Sequence, residues 1–270
     1  MIYLDAAATS SIKPQNVTDA VTKALTGGCG NCGRGVNDAS LKASHLIQNA
    51  RDTIAHFFGF PSASCIAFTA NSTEALNIAI NGTLKKGDTV VTTEAEHNSV
   101  LRPLFFQKNI GVNIKITPLT ADGAIDYEKL RNLLLQGADA LVMTLASNVT
   151  GNVTDLPRTA SILRETALKT GKHPLFIADA SQTAGAFELN ASDFDGKGSR
   201  IDILCCTGHK SLYGPQGTGC ICVMPDIHVE PLLRGGTGFD SFNTDQPQKM
   251  PALLEAGTLN AHGIAGLAAG

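Results

Sequence analysis

Between residues 64 and 224 short apolar runs alternate with helix-like stretches, and this alternation narrows the chain to one architecture. The runs SCIAFTA (64–70), DTVVTT (88–93), VNIKITPL (112–119), DALVMTLA (139–146), PLFIADA (174–180), IDILCC (201–206) and GTGCICVM (217–224) read as strands. Between them, STEALNIAINGTL (72–84), NSVLRPLFFQK (98–108), DYEKLRNLLL (126–135) and TDLPRTASILRETALKT (154–170) read as helices. Strands that alternate with helices predict an α/β fold of three layers, α/β/α, around a mostly parallel sheet. The runs are rich in Val, Ile, Leu and Ala without polar alternation, as strands covered on both faces should be. The first 60 residues or so read as two helices around the glycine-rich segment GGCGNCGRG, and 225–257, rich in Gly and Pro, as a long loop. Long ordered loops are often functional.

Charge excludes some functions. Lys plus Arg total 21 against 24 Asp plus Glu, a net charge of −3, so there is no basic excess to hold a nucleic acid. No run approaches the roughly 18 apolar residues of a membrane helix, and Asp5 falls where a signal peptide keeps its apolar core. These features point to a cytoplasmic protein that binds neither nucleic acid nor membrane. Of the 7 cysteines, Cys205, Cys206, Cys220 and Cys222 sit in apolar runs, the use made of reduced, buried thiols. Cys29 and Cys32 form a single C-x-x-C without the two further ligands a zinc site wants, so no metal is expected. They read as small loop residues, with a redox or metal role as the alternative.

In parallel α/β sheets, ligands bind beyond the carboxyl ends of the strands. The segments that follow the predicted strands are polar: NSTE (71–74), EAEHNS (94–99), SNVTGN (147–152), DASQ (179–182) and TGHKS (207–211). Lys210 lies close after an apolar strand, where desolvation lowers an amine's pKa and frees it to attack an aldehyde; a surface lysine in a turn is the bland alternative. Asp179 ends a strand, where a carboxylate needs a partner. A protonated pyridine nitrogen, as in pyridoxal 5'-phosphate (PLP), is one such partner, and Gln182 could reach the ring's phenolic oxygen; a helix cap would also explain Asp179. Asn71 with Glu74 resembles a capping box. The N–H groups of Ser72 and Thr73 then form an anion site at a helix N-terminus, which the hydroxyls with Thr207 and His209 could complete. His97 could lie against a ring or carry protons, and Asn148 offers an amide at the same sheet edge.

A phosphate turn, an Asp with Gln at plus three, and His-Lys after successive strands form a more specific pattern than any one of them. That pattern resembles the class V aminotransferases, and within them the cysteine desulfurase and selenocysteine lyase branch. YLDAAATS (3–10), FTANSTEALN, AEHNSVLRP, SNVTGN, ADASQTAG, GHKSLYGPQGTG and EAGTLNAHGIAGL (255–267) carry the resemblance across essentially the whole chain. It implies PLP-dependent transferase fold type I, the aspartate-aminotransferase-like fold. It implies that Lys210 holds PLP as a Schiff base, with Lys210 and His97 catalytic. Asp179 would contact the ring nitrogen, Gln182 the phenolic oxygen, and His97 would stack on the ring. Ser72, Thr73, Thr207 and His209 would hold the phosphate, Asn148 would sit near the ring and the substrate carboxylate, and Thr258 would reach the phosphate of a partner subunit in a homodimer.

The implied reaction converts L-cysteine to L-alanine and leaves sulfur as an enzyme persulfide for an acceptor protein. Selenocysteine lysis, another class V reaction, or a PLP-binding chain without turnover are the alternatives. Cys29 and Cys32 stand where the family carries small residues or proline. The resemblance also implies a layout: 1–14 packs with a small domain, 15–257 forms the large PLP-binding domain, and 258–270 begins a helix leading to a C-terminal small domain. The chain ends within a helical pattern, AGLAAG (265–270), and the substrate-binding arginine and persulfide cysteine are expected beyond it.

Overall fold

A computed structural model describes residues 2–33, 37–238 and 242–270, so the end of the glycine-rich segment and part of the 225–257 loop lie outside the described residues. Two helices, α1 (Gln15–Thr26) and α2 (Asp38–Phe58), precede the sheet. Strand β1 (Ile66–Thr69) leads into α3 (Ser72–Thr83), β2 (Thr89–Thr93) into α4 (Asn98–Asn109), and β3 (Asn113–Thr117) into α5 (Tyr127–Leu134). Then β4 (Ala140–Thr144) leads into α6 (Leu156–Thr170), followed by β5 (Leu175–Asp179), β6 (Ile203–Thr207), β7 (Gly219–Val223) and α7 (Ala261–Ala269).

The strand order is β1-β7-β6-β5-β4-β2-β3, parallel from β6 to β3, with β7 antiparallel to both β1 and β6. The three layers and mostly parallel sheet agree with the sequence pattern. Successive strand residues point to opposite faces, so each buried strand feeds two cores. Cys206 and Phe68 join the core with α2, α5, α6 and α7, while Cys205 and Ala67 join the core with α3 and α4. Full burial of β4, β6 and β7 explains their unbroken apolar sequence.

One strand departs from the expectation of two covered faces. Strand β3 is one of the two edge strands, and its Asn113, Lys115 and Ile116 are exposed. Its lysine is the kind of residue that discourages edge pairing. Helix α7 buries Ala261, Ile264 and Leu267 and packs against α1 and α2.

Because β7 runs against its neighbours, its first residue, Gly219, lies at the same sheet edge as Thr69 and Thr207. The ends Thr93, Thr144 and Asp179 share that edge. A Cβ on Gly219 would meet Cys206 O at 2.7 Å and Asn71 C at 2.9 Å. The missing side chain lets the turn before α3 close onto the end of β6.

Candidate active site

At this edge a cavity of about 290 Å³ is lined by Ser72, Thr73, His97, Asn148, Asp179, Gln182, Thr207, His209 and Lys210. Nine of the ten predicted site residues therefore meet in one place, at the low end of the volumes typical for small-ligand sites.

One wall is the N-terminus of α3. Asn71 caps it, its side chain accepting from Glu74 N at 2.9 Å, and Ala75 N donates to Asn71 O. Glu74 reaches back to Ala70 N at 2.6 Å, a variant of the expected capping box. With those amides engaged, the N–H groups of Ser72 and Thr73 are the first-turn donors left for an anion, beside their own hydroxyls.

The floor is Asp179, only 3% exposed. Its Oδ1 accepts from Ser181 N at 2.9 Å, from the Ser181 hydroxyl, and from Ser72 Oγ at 3.4 Å. Lys210 stands opposite, and burial lowers its pKa from the usual lysine value while the Asp179 carboxylate partly counters that shift. The Lys210 loop is held tightly, since Gly208 N donates to Thr218 O and a Cβ on Gly208 would meet Thr218 Oγ1 at 2.3 Å.

His97 is the N-cap of α4, and its Nδ1 accepts from Ser99 N at 3.1 Å, which puts the proton of a neutral ring on Nε2. Ser99 Oγ lies 2.8 Å from both His97 Nδ1 and Thr73 Oγ1, linking the histidine to the α3 wall. Ser99 and Ser181 were not foreseen from the sequence. A serine two residues after a predicted site residue was the only available signal.

The N-terminal segment also reaches the site. His209 O accepts from Ser10 N and from the hydroxyls of Thr9 and Ser10, and His209 Nδ1 lies 3.0 Å from Thr9 Oγ1. Lys13 Nζ donates to His209 O at 3.3 Å. His209's pKa is lowered by burial and then by the charges of Lys210 and Lys13. Gln182 Nε2 donates to Ala7 O at 3.1 Å.

The tenth residue, Thr258, lies outside this cavity. It lines a smaller hollow of about 80 Å³ with Asn31, Cys32 and Glu255, and Asn31 Nδ2 donates to its hydroxyl at 3.4 Å. Cys32 is free and half-buried there, and burial with the charge of Glu255 raises its thiol pKa; Cys29, also free and half-buried, lies outside that lining. Among the described residues, no cluster of three or more His, Cys, Asp or Glu is placed to hold a metal. No helix of these residues is long and apolar enough to cross a membrane.

The fold is that of the type I PLP-dependent transferases. A family model described as aminotransferase class-V matches residues 2–270, and the chain belongs to that family. Among its relatives is a probable cysteine desulfurase of Methanothermobacter thermautotrophicus, 32% identical over 273 residues, covering 99% of this chain and 65% of the relative. Cysteine desulfurase CsdA of Escherichia coli is 30% identical over 280 residues, covering 99% and 66%. In three dimensions, the apo structure of a cysteine desulfurase from Thermococcus onnurineus NA1 matches with a TM-score of 0.88 at 30% identity, covering 99% of this chain and 66% of that one. The chain thus spans about two thirds of these relatives' length.

Proposed function

We propose that the cavity is the PLP site of a cysteine desulfurase-type enzyme that converts L-cysteine to L-alanine and passes on the sulfur. One observation carries this reading: a desolvated lysine, a buried carboxylate and the N-terminus of α3 converge on one small cavity. Each group fits a different part of PLP. Ser72, Thr73, Thr207 and His209 would hold the phosphate, with the α3 dipole adding about 0.3–1 kcal/mol, or up to about 2 if partly buried. Asp179 would pair with the ring nitrogen, His97 would stack on the ring, and Gln182 would exchange Ala7 O for the phenolic oxygen. Asn148 would lie near the ring and the substrate carboxylate.

When bound, PLP supplies an aldehyde for a Schiff base with Lys210 and a ring that draws electrons from the substrate Cα. The protein supplies the rest. Partial burial lowers the Lys210 pKa, which favours the neutral amine that can take the Cα proton. Asp179, held by hydrogen bonds from Ser181 and Ser72, would face the ring nitrogen.

The attacking thiol is not one of the strand cysteines. Cys205, Cys206 and Cys220 are fully buried and their thiol pKa values are pushed well up, whereas attack needs a mobile thiolate. That thiol, the substrate arginine and a small domain packing with 1–14 belong, on this reading, to sequence following the 258–270 helix. The reading includes a homodimer in which Thr258 reaches the partner's phosphate, a sulfur-acceptor protein, and a cytoplasmic location consistent with seven free cysteines. The test is Cα hydrogen exchange of L-cysteine and other amino acids in heavy water by the PLP-loaded protein. Exchange that favours cysteine supports the proposal; no exchange of any amino acid by a protein that has taken up PLP counts against it.

A further inference from the structure

Below the cavity lies a carboxyl group that the proposed reaction does not use. Glu96 is buried, 8% exposed, between the end of β2 and the start of α4. Its Oε1 accepts from Thr93 Oγ1 at 2.6 Å and from Thr144 N at 3.0 Å. Its Oε2 is buried without a hydrogen-bond partner among the described residues. These contacts tie together the elements that present the ring-facing groups. Glu96 immediately precedes His97. Thr144, whose amide it holds, pairs with Asp179 in the β4–β5 ladder, and the next amide, Leu145 N, donates to Asp179 O.

An ionised carboxylate with one bare oxygen in such a place would be costly. Burial is the largest influence and raises the pKa of Glu96 from its ordinary 4.5 to about 8; the hydrogen bonds from Thr93 and Thr144 oppose this, and the charge of Asp179 adds to it. The facing groups are thus Thr93 from β2, Thr144 from β4 and Asp179 from β5. With its pKa raised to about 8, the Glu96 carboxyl is protonated at neutral pH.

We infer that Glu96 is a positioning residue for the cofactor: a buried acid that clamps the His97 turn to the strand end beside Asp179. This rests on reading the cavity as a PLP site. The clamp acts through His97 and Asp179 and touches no reacting atom.

Two variants test it, Glu96→Gln, which keeps a neutral clamp, and Glu96→Ala, which removes it. The first readout is urea unfolding of the cofactor-free protein against pH. A folded pKa above the ordinary value means that Glu96 favours folding fully below about pH 4.5, and that this contribution is lost as pH rises to about 8. The folding constant of wild type should therefore fall relative to Glu96→Gln by up to about tenfold per pH unit in that window, and run parallel above it. Parallel curves throughout would overturn the inference.

The second readout is PLP affinity and the visible absorption of bound PLP. Glu96→Gln should bind PLP nearly as wild type does and lose any spectral transition near pH 8, while Glu96→Ala should bind about tenfold more weakly, the worth of one lost hydrogen bond. Wild-type affinity, spectrum and pH profile in both variants would also overturn it. If wild type takes up no PLP, the reading of the cavity fails, and the unfolding curves still decide whether Glu96 is a neutral clamp.

Discussion

The Lys210 cavity and the Thr258 hollow both hold residues singled out from the sequence, yet they are built differently. The cavity is made of strand ends and a helix N-terminus, with Asp179 and Thr207 buried and the Lys210 loop pinned by Gly208. The hollow is made of loops. Asn31, Cys32, Gly257 and Thr258 meet over a buried ion pair, Arg51 with Glu255 at 2.6 Å, whose carboxylate also accepts from Phe68 N. The strand ends and helix N-terminus gather nine of the ten predicted site residues in one cavity, whereas the loops place Thr258 in a separate hollow. The homodimer proposed above would draw on that division, since a loop at a two-fold interface can complete a site it does not reach within its own chain.

Four experiments can break or sharpen this contrast. Asp179→Ala should have the largest effect, lowering Cα hydrogen exchange by about 10²–10³ while leaving PLP attached to Lys210. Wild-type exchange in this variant would remove Asp179 from its role. Next, Ser72→Ala should weaken PLP binding by about tenfold or more, the range for a hydrogen bond to a charged group, as measured by equilibrium titration. A smaller effect is expected from the loop. In Thr258→Ala chains mixed with Lys210→Ala chains, about a quarter of the sites should bind PLP with full wild-type affinity, because half of randomly formed dimers are mixed and each mixed dimer holds one intact site. Failure to regain any sites in confirmed mixed dimers would place Thr258 outside the partner's site. Smallest of all, Cys29→Ser and Cys32→Ser should leave PLP affinity and Cα exchange unchanged. A loss of turnover confined to these variants would make the C-x-x-C pair catalytic.

The same division explains what could be read from the sequence. Asp179 and Lys210 were legible because a charged side chain at or just after an apolar run marks a strand end, and strand ends of a parallel sheet share one edge. The capping pattern exposed the α3 anion site in the same way. Glu96, Ser99 and Ser181 escaped notice because they act through neighbours that only the folded chain supplies: Thr144 for Glu96, Thr73 for Ser99, the Asp179 carboxylate for Ser181. Lys13 is remote in sequence from His209 and meets it only through the fold. The exposure of β3 was missed because edge position depends on strand order, and that order, with β7 inserted antiparallel between β1 and β6, is a property of the whole sheet.

Covalent capture of the cofactor tests the central claim most directly. The protein is loaded with PLP, reduced with borohydride, digested and mapped by mass spectrometry, with Lys210→Ala treated alongside. A pyridoxyl adduct on the peptide containing Lys210, absent from the variant, is the predicted result. An adduct on a different lysine, or no adduct with wild type, would contradict it.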